Sequence, residues 1–198
     1  MINFKTTSSH SLFNLSKKLL GTCAIYFTVF NVSGQSQLQG SHSIEYAYYS
    51  VTGVSGLDSI KSVVSRTARD HKMTTDALTS TSYKWKHLQA PVKKNGICTP
   101  SQVELKAHTV ITLPHLVNAK LTKDELAVWA KSLQNLLSHE NLHYANHQQA
   151  FLEITQEANS FEAPCNGFRA AFSKAMKVVI HGHIETDEAI DKKQSTSS

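Results

Sequence analysis

The chain has 198 residues, 40% of them apolar and 18% charged, a balance that excludes both an intrinsically disordered chain and a polytopic membrane protein. Its formal charge of +5 is inflated by one segment, because Lys5, Lys17 and Lys18 are the only charged residues before Gln35; without them 17 basic side chains face 15 acidic ones. That near-neutral remainder offers no electrostatic footprint for nucleic acid.

In chain order, the three lysines lead into an apolar run from Leu19 to Phe30, followed by Val32, Ser33 and Gly34. A basic start, an apolar stretch too short to span a bilayer comfortably and small residues after it predict a secretory signal peptide over residues 1–34, cleaved near Gly34. The expected mature unit is then one domain, residues 35–198, with no membrane span, in the periplasm or outside the cell. Cys23 leaves with the leader, so Cys98 and Cys165 remain. Two cysteines in an exported chain are expected to pair.

Residues 44–51 are β-rich and aromatic and stop at Thr52 and Gly53, which predicts a strand. Leu57, Ile60, Val63 and Val64 fall at helical spacing with Lys61, Arg66 and Arg69 interleaved, so a short amphipathic helix follows. Between Thr79 and Leu88, Tyr83, Trp85 and His87 alternate with Lys84 and Lys86; from Gln102 to Thr112, Val103, Leu105 and Ala107 alternate with Glu104, Lys106 and His108. These stretches read as an antiparallel pair, joined by a turn over residues 91–96 and ended by Leu113 and Pro114.

The remainder reads as helix. Thr122 and Glu125 form a capping box, and Leu126, Trp129, Leu133, Leu136, Leu137, Tyr144, Phe151 and Ile154 then continue on one arc. Pro164 and its neighbours break the helix, a second one carries Phe168, Phe172, Met176, Val179 and Ile180, and residues 192–198 are expected to fray. The predicted fold class is α+β: a small antiparallel sheet with one short helix, followed by a long helical hairpin.

The first long helix carries His139, Glu140, Asn141, Leu142 and His143, an HExxH sequence. Histidines four apart stand one turn from each other on one face, so both imidazoles can reach one Zn²⁺, and the glutamate beside the first can activate an attacking water. With 11 His and 9 Glu in the chain, the motif arises by chance about 0.03 times. Projected at about 100° per residue, Glu140 falls within the apolar arc, where partial desolvation raises a carboxylate pKa and suits a general base. His147 continues the series but lies too far along the axis from His139 to share the ion.

A hairpin centred near Ala163 sets position 183 level with His143 and position 187 level with His139. His183 is therefore the expected third ligand, with Asp187 as a further ligand or as the partner orienting an imidazole. His181 and Glu185 take their places if the turn slips by two residues, and His108 and His115 are more distant alternatives.

These residues together resemble a family of bacterial secreted zinc-dependent proteases classed as a domain of unknown function (922). The resemblance runs from Tyr49 to Gly53, through Leu57, Tyr83, Trp85, Cys98, Leu113, Pro114 and Trp129, to the HExxH helix and Cys165. It implies a zinc-dependent hydrolysis of peptide or protein substrates. The family usually ends in Tyr-Asp-x-x-Thr-x-His-Gly; here Ile190 to Ser197 occupies that stretch and only Asp191 is retained. The competing reading is a noncatalytic envelope or periplasmic binding protein with a structural or vestigial metal site.

Overall fold

The computed structural model describes residues 37–196, so the expected leader lies outside the described residues. Strand β1 (Gln37–Val51) leads to helix α1 (Leu57–Asp70) and strand β2 (Leu78–His87). A short hairpin follows, β3 (Val92–Lys94) and β4 (Ile97–Thr99). Strand β5 (Gln102–Leu116) then precedes helix α2 (Lys123–Ser160). A two-residue strand, β6 (Ala163–Pro164), and helix α3 (Phe168–Thr196) complete the described chain.

The class is α+β. β2 pairs antiparallel with β5, Tyr83 opposite Ala107, whereas β1 lies along the other side of β5 in parallel, from Gln37 opposite Gln102 to Val51 opposite Leu116. The sheet, ordered β1-β5-β2, is therefore mixed. A parallel neighbour needs a crossover, and here α1, β2 and the short hairpin supply it.

Three local expectations change. The turn over residues 91–96 is a β-hairpin whose two-residue loop is Asn95 and Gly96, both with positive φ (52° and 81°). An Asn-Gly pair fits such a loop because both central residues adopt the left-handed conformation there. β5 does not end at Pro114 but runs to Leu116, because β2 reaches only as far as Thr112. Past that point β5 has β1 as its single neighbour in the sheet, and an edge tolerates a residue that cannot donate. Residues 192–196, expected to fray, continue α3 as helix.

The helical hairpin covers one face of the sheet. Leu38, Val103, Leu105 and Ala107 bury against Phe151, Ile154, Ala158, Phe172 and Met176. Gly40 permits this close packing, since a Cβ there would stand 3.1 Å from Phe151 Cζ. Further along, Ile44, Ile111 and Leu113 meet Leu133, Leu136, Leu137 and Tyr144. α1 packs on the sheet's other face at its far end, where Tyr49, Val51 and Val54 join Ile60, Val63 and Val64.

Two covalent or capped points fix the helices. Thr122 and Glu125 form the expected capping box, and the second oxygen of Glu125 also accepts from the Leu57 backbone N–H at 3.0 Å, so one carboxylate serves the first turns of two helices. Cys98 and Cys165 form the expected disulfide, which ties β4 to the segment between α2 and α3. In the chain-entropy description, a bridge closing a loop of this length stabilises by about 4 kcal/mol.

Candidate metal centre

His139, Glu140 and His143 lie in the middle of α2, where the helix passes over β2 and faces α3. Glu140 is buried, 4% exposed, and points toward the sheet: the Thr79 hydroxyl of β2 donates to its Oε2 at 2.7 Å. Burial raises the carboxyl pKa above its ordinary value, only partly offset by the Thr79 hydrogen bond and the neighbouring imidazoles.

The two imidazoles turn toward α3. His139 Nε2 and His143 Nε2 are 3.1 Å apart, and each is 3.1 Å from Asp191 Oδ1. Three electron-pair donors thus converge on one point, in a group of His139, His143 and Asp191. A tetrahedral zinc site with bonds of about 2.0–2.1 Å has ligand atoms about 3.3 Å apart, so two nitrogens and an oxygen at 3.1 Å fit such an ion in spacing as well as in type. Asp191 is about half exposed, at 54%, which leaves the cluster open to solvent on that side.

His143 is held at both ring nitrogens. Its Nδ1 lies 2.9 Å from Asp187 Oδ1, and donation there leaves the Nε2 lone pair aimed at the cluster. The hydrogen bond to Asp187 raises the His143 pKa against the opposing effect of burial. Burial alone would raise the Asp187 pKa, but hydrogen bonds from His143 and Asn146 outweigh it and hold the carboxyl below its ordinary value. Asp187 Oδ2 also faces His147 Nε2 at 3.4 Å, and the Tyr83 hydroxyl of β2 lies 3.1 Å from His147 Nδ1. His147 is buried and its pKa is lowered, chiefly by that burial.

The structure does not bring His183 to this group. Its Nδ1 meets Asn146 Oδ1 at 2.5 Å and its Nε2 meets Glu153 Oε2 at 3.0 Å. The displacement is regular, because His143 faces Asp187 where 183 was expected and His139 faces Asp191 where 187 was expected. Each partner is four residues, one helical turn, later. The cause is the link between the helices: Ala163 pairs with Cys98 and Pro164 with Ile97, and the chain then turns at Gly167 (φ 78°) before α3 starts. A hairpin centred on Ala163 with matched arms ignores these residues.

The remaining alternatives lie apart from the cluster. His181 and Glu185 are exposed and pair with each other at 3.6 Å. His108 bonds Ser43 and Glu45 across the strands, and His115 meets Tyr48 edge on. In the sequence Asp191 stands out only as the retained residue of a degenerate element, although its place eight residues after His183 and four after Asp187 puts it on their helix face. Tyr83 is marked in the sequence only as a strand residue of the resemblance, and Thr79 and Asn146 carry no site signal, since the role of all three depends on which strand and helix meet.

Fold and site together define an α+β protein whose helical hairpin gathers two imidazoles and a carboxylate around one point beside a buried glutamate. The chain belongs to the family described as Bacterial protein of unknown function (DUF922), whose model matches residues 46–197. No curated protein and no solved structure matches it. No helix among the described residues is long and apolar enough to cross a membrane.

Proposed function

We propose that the protein is an exported zinc-dependent peptide hydrolase. The observation that carries this reading is the convergence of His139 Nε2, His143 Nε2 and Asp191 Oδ1 at 3.1 Å next to the buried carboxylate of Glu140. His139, His143 and Asp191 would hold the metal. Zinc, when bound, supplies the Lewis acidity that polarises a scissile carbonyl.

The chain's own residues supply the rest. Glu140 takes a proton from the attacking water and returns it to the leaving amine, a role favoured by its raised pKa, which brings a carboxylate closer to neutral pH. Thr79 anchors one oxygen of that carboxylate, so its orientation is set before substrate arrives. Asp187 keeps His143 in the tautomer that presents Nε2. Peptide as the substrate class is supported by the resemblance of the HExxH helix and its surroundings to secreted zinc-dependent proteases. Export is supported by the disulfide between Cys98 and Cys165, a bond at home in an oxidising compartment, and by the leader-like composition of residues 1–34.

Metal analysis beside an activity comparison tests the reading. Purified protein should carry about one zinc per chain, lost in His143→Ala. Glu140→Gln should retain the zinc and lose hydrolysis by about 10²- to 10⁴-fold. Stoichiometric zinc with no cleavage in broad peptide libraries would sink the hydrolase and leave a noncatalytic metal-binding envelope protein.

A further inference from the structure

Asn146 sits on α2 one turn after His143, and opposite it on α3 stand Asp187 and His183, also one turn apart. Its amide makes three contacts between the helices. Nδ2 is 2.8 Å from the backbone carbonyl of His183 and 2.8 Å from Asp187 Oδ1, while Oδ1 faces His183 Nδ1 at 2.5 Å. Two acceptors on one side consume both amide hydrogens, so the atom facing His183 must be the oxygen and His183 Nδ1 must be its donor. The orientation of the amide is thereby determined rather than optional. His183 is itself fixed from beyond, its Nε2 against Glu153 Oε2 at 3.0 Å, with Glu153 Oε1 accepting from Gln149 at 2.9 Å.

From these contacts we infer that Asn146 is a positioning residue for the metal centre, and that His183 serves the centre through Asn146 instead of by ligation. The inference rests on the reading of His143 as a metal ligand. Asp187 Oδ1 receives both the Asn146 amide and His143 Nδ1, at 2.8 and 2.9 Å. The amide therefore decides where that oxygen stands. The oxygen, nearer to Nδ1 (2.9 Å) than Asp191 Oδ1 is to Nε2 (3.1 Å) and on the less exposed side chain, holds the His143 proton on Nδ1. Hydrogen bonds from His183 through Asn146 and Asp187 end on the imidazole whose other nitrogen joins the cluster. Groups that orient a ligand in this way typically change metal affinity by about 10- to 100-fold when removed.

The competing role is a plain staple between two helices, and Asn146→Asp separates the two. It keeps the size of the side chain but replaces the donor facing Asp187 with an acceptor. Two measurements apply: the tautomer of His143 in metal-free protein, read by long-range proton-nitrogen NMR at alkaline pH, and zinc affinity by chelator competition. Wild type should show His143 protonated at Nδ1. Asn146→Asp should shift that proton toward Nε2 and weaken zinc about 10- to 100-fold, and His183→Ala should move both readouts in the same direction by less. An unchanged tautomer with zinc affinity within about threefold, whatever happens to the melting temperature, would reduce Asn146 to a staple and overturn the inference. Should Asn146→Asp fail to fold, Asn146→Ala removes the donor without adding charge and is read in the same way. If wild type binds no zinc, the proposed function fails by that result, while the tautomer comparison still decides what Asn146 does.

Discussion

The two ends of the helical hairpin are built from opposite materials. At the linked end, Phe161, Phe168 and Phe172 pack edge to face with ring centres 5.3–5.5 Å apart around Phe161, Ala158 and Met176 are fully buried, and the disulfide pins the connection to β4. At the other end the helices meet through His139, His143, Asn146, Asp187 and Asp191, with aliphatic side chains displaced to the sheet side. An apolar interface accepts several sliding registers at similar energy, whereas a polar one is satisfied in few. The linked end therefore holds the helices together, and the other end requires one register of them: a slip of one turn would replace Asp191 by Asp187 beside His139.

This division makes the two ends separable by mutation. The largest effect on zinc is expected at the open end. Asp191→Asn should weaken zinc by more than about 100-fold, beyond the range of a group that only orients a ligand, while the stability of metal-free protein stays within about 0.5 kcal/mol, as for most exposed positions. Chelator competition and urea denaturation of the same preparation measure both. A variant that lost stability and kept zinc would invert the comparison.

Phe172→Ala attacks the linked end. Removal of a fully buried aromatic side chain costs about 3–5 kcal/mol, seen as a lower urea midpoint, and zinc affinity of the folded fraction should remain within about threefold of wild type. Loss of zinc there would mean that the two ends are mechanically coupled.

A smaller effect sharpens the comparison from between the ends. His42 of β1 lies buried against Tyr144 and Phe151 with its Nε2 2.7 Å from Thr109 Oγ1, and burial, with lesser repulsion from His147 and His108, lowers its pKa to about 4. The unfolded chain binds this proton near pH 6.5, so the unfolded state takes up more protons between these values. The contribution of a neutral His42 is complete above about pH 6.5 and is lost as pH falls toward 4, about 2 kcal/mol after allowance for solvent screening. Urea midpoints from pH 7 to 4.5 should fall less steeply in His42→Gln than in wild type. Parallel slopes would place the acid sensitivity elsewhere.

Much of α2 was legible in the sequence because its information is local. The capping box spans four residues, HExxH spans five, and both obey the helical period whatever packs against them. The pairing of Cys98 with Cys165 was legible for a different reason, since only two cysteines follow the leader-like segment and two thiols have one choice of partner. The strands were found by alternation, but alternation does not tell whether β1 runs with β5 or against it, and it gave Pro114 more authority than an edge allows. Asn95 and Gly96 mark a turn in the sequence, but the strands on either side, three residues each, are too short for alternation to reveal the hairpin. On α3 the periodicity placed 183, 187 and 191 on one face without saying which pair would meet α2. That choice is made by the pairing of Ala163 and Pro164 with β4, a tertiary fact with no trace in local pattern.

The parallel pairing of β1 with β5 also governs the order in which the molecule can assemble. β1 leaves the ribosome first yet waits 65 residues for its partner, Gln37 for Gln102, and contacts so far apart in sequence form slowly. His139 in turn waits 52 residues for Asp191. During synthesis α2 therefore emerges with His139, Glu140 and His143 before the third member of the cluster has appeared, so the three-donor group is complete only once α3 has docked.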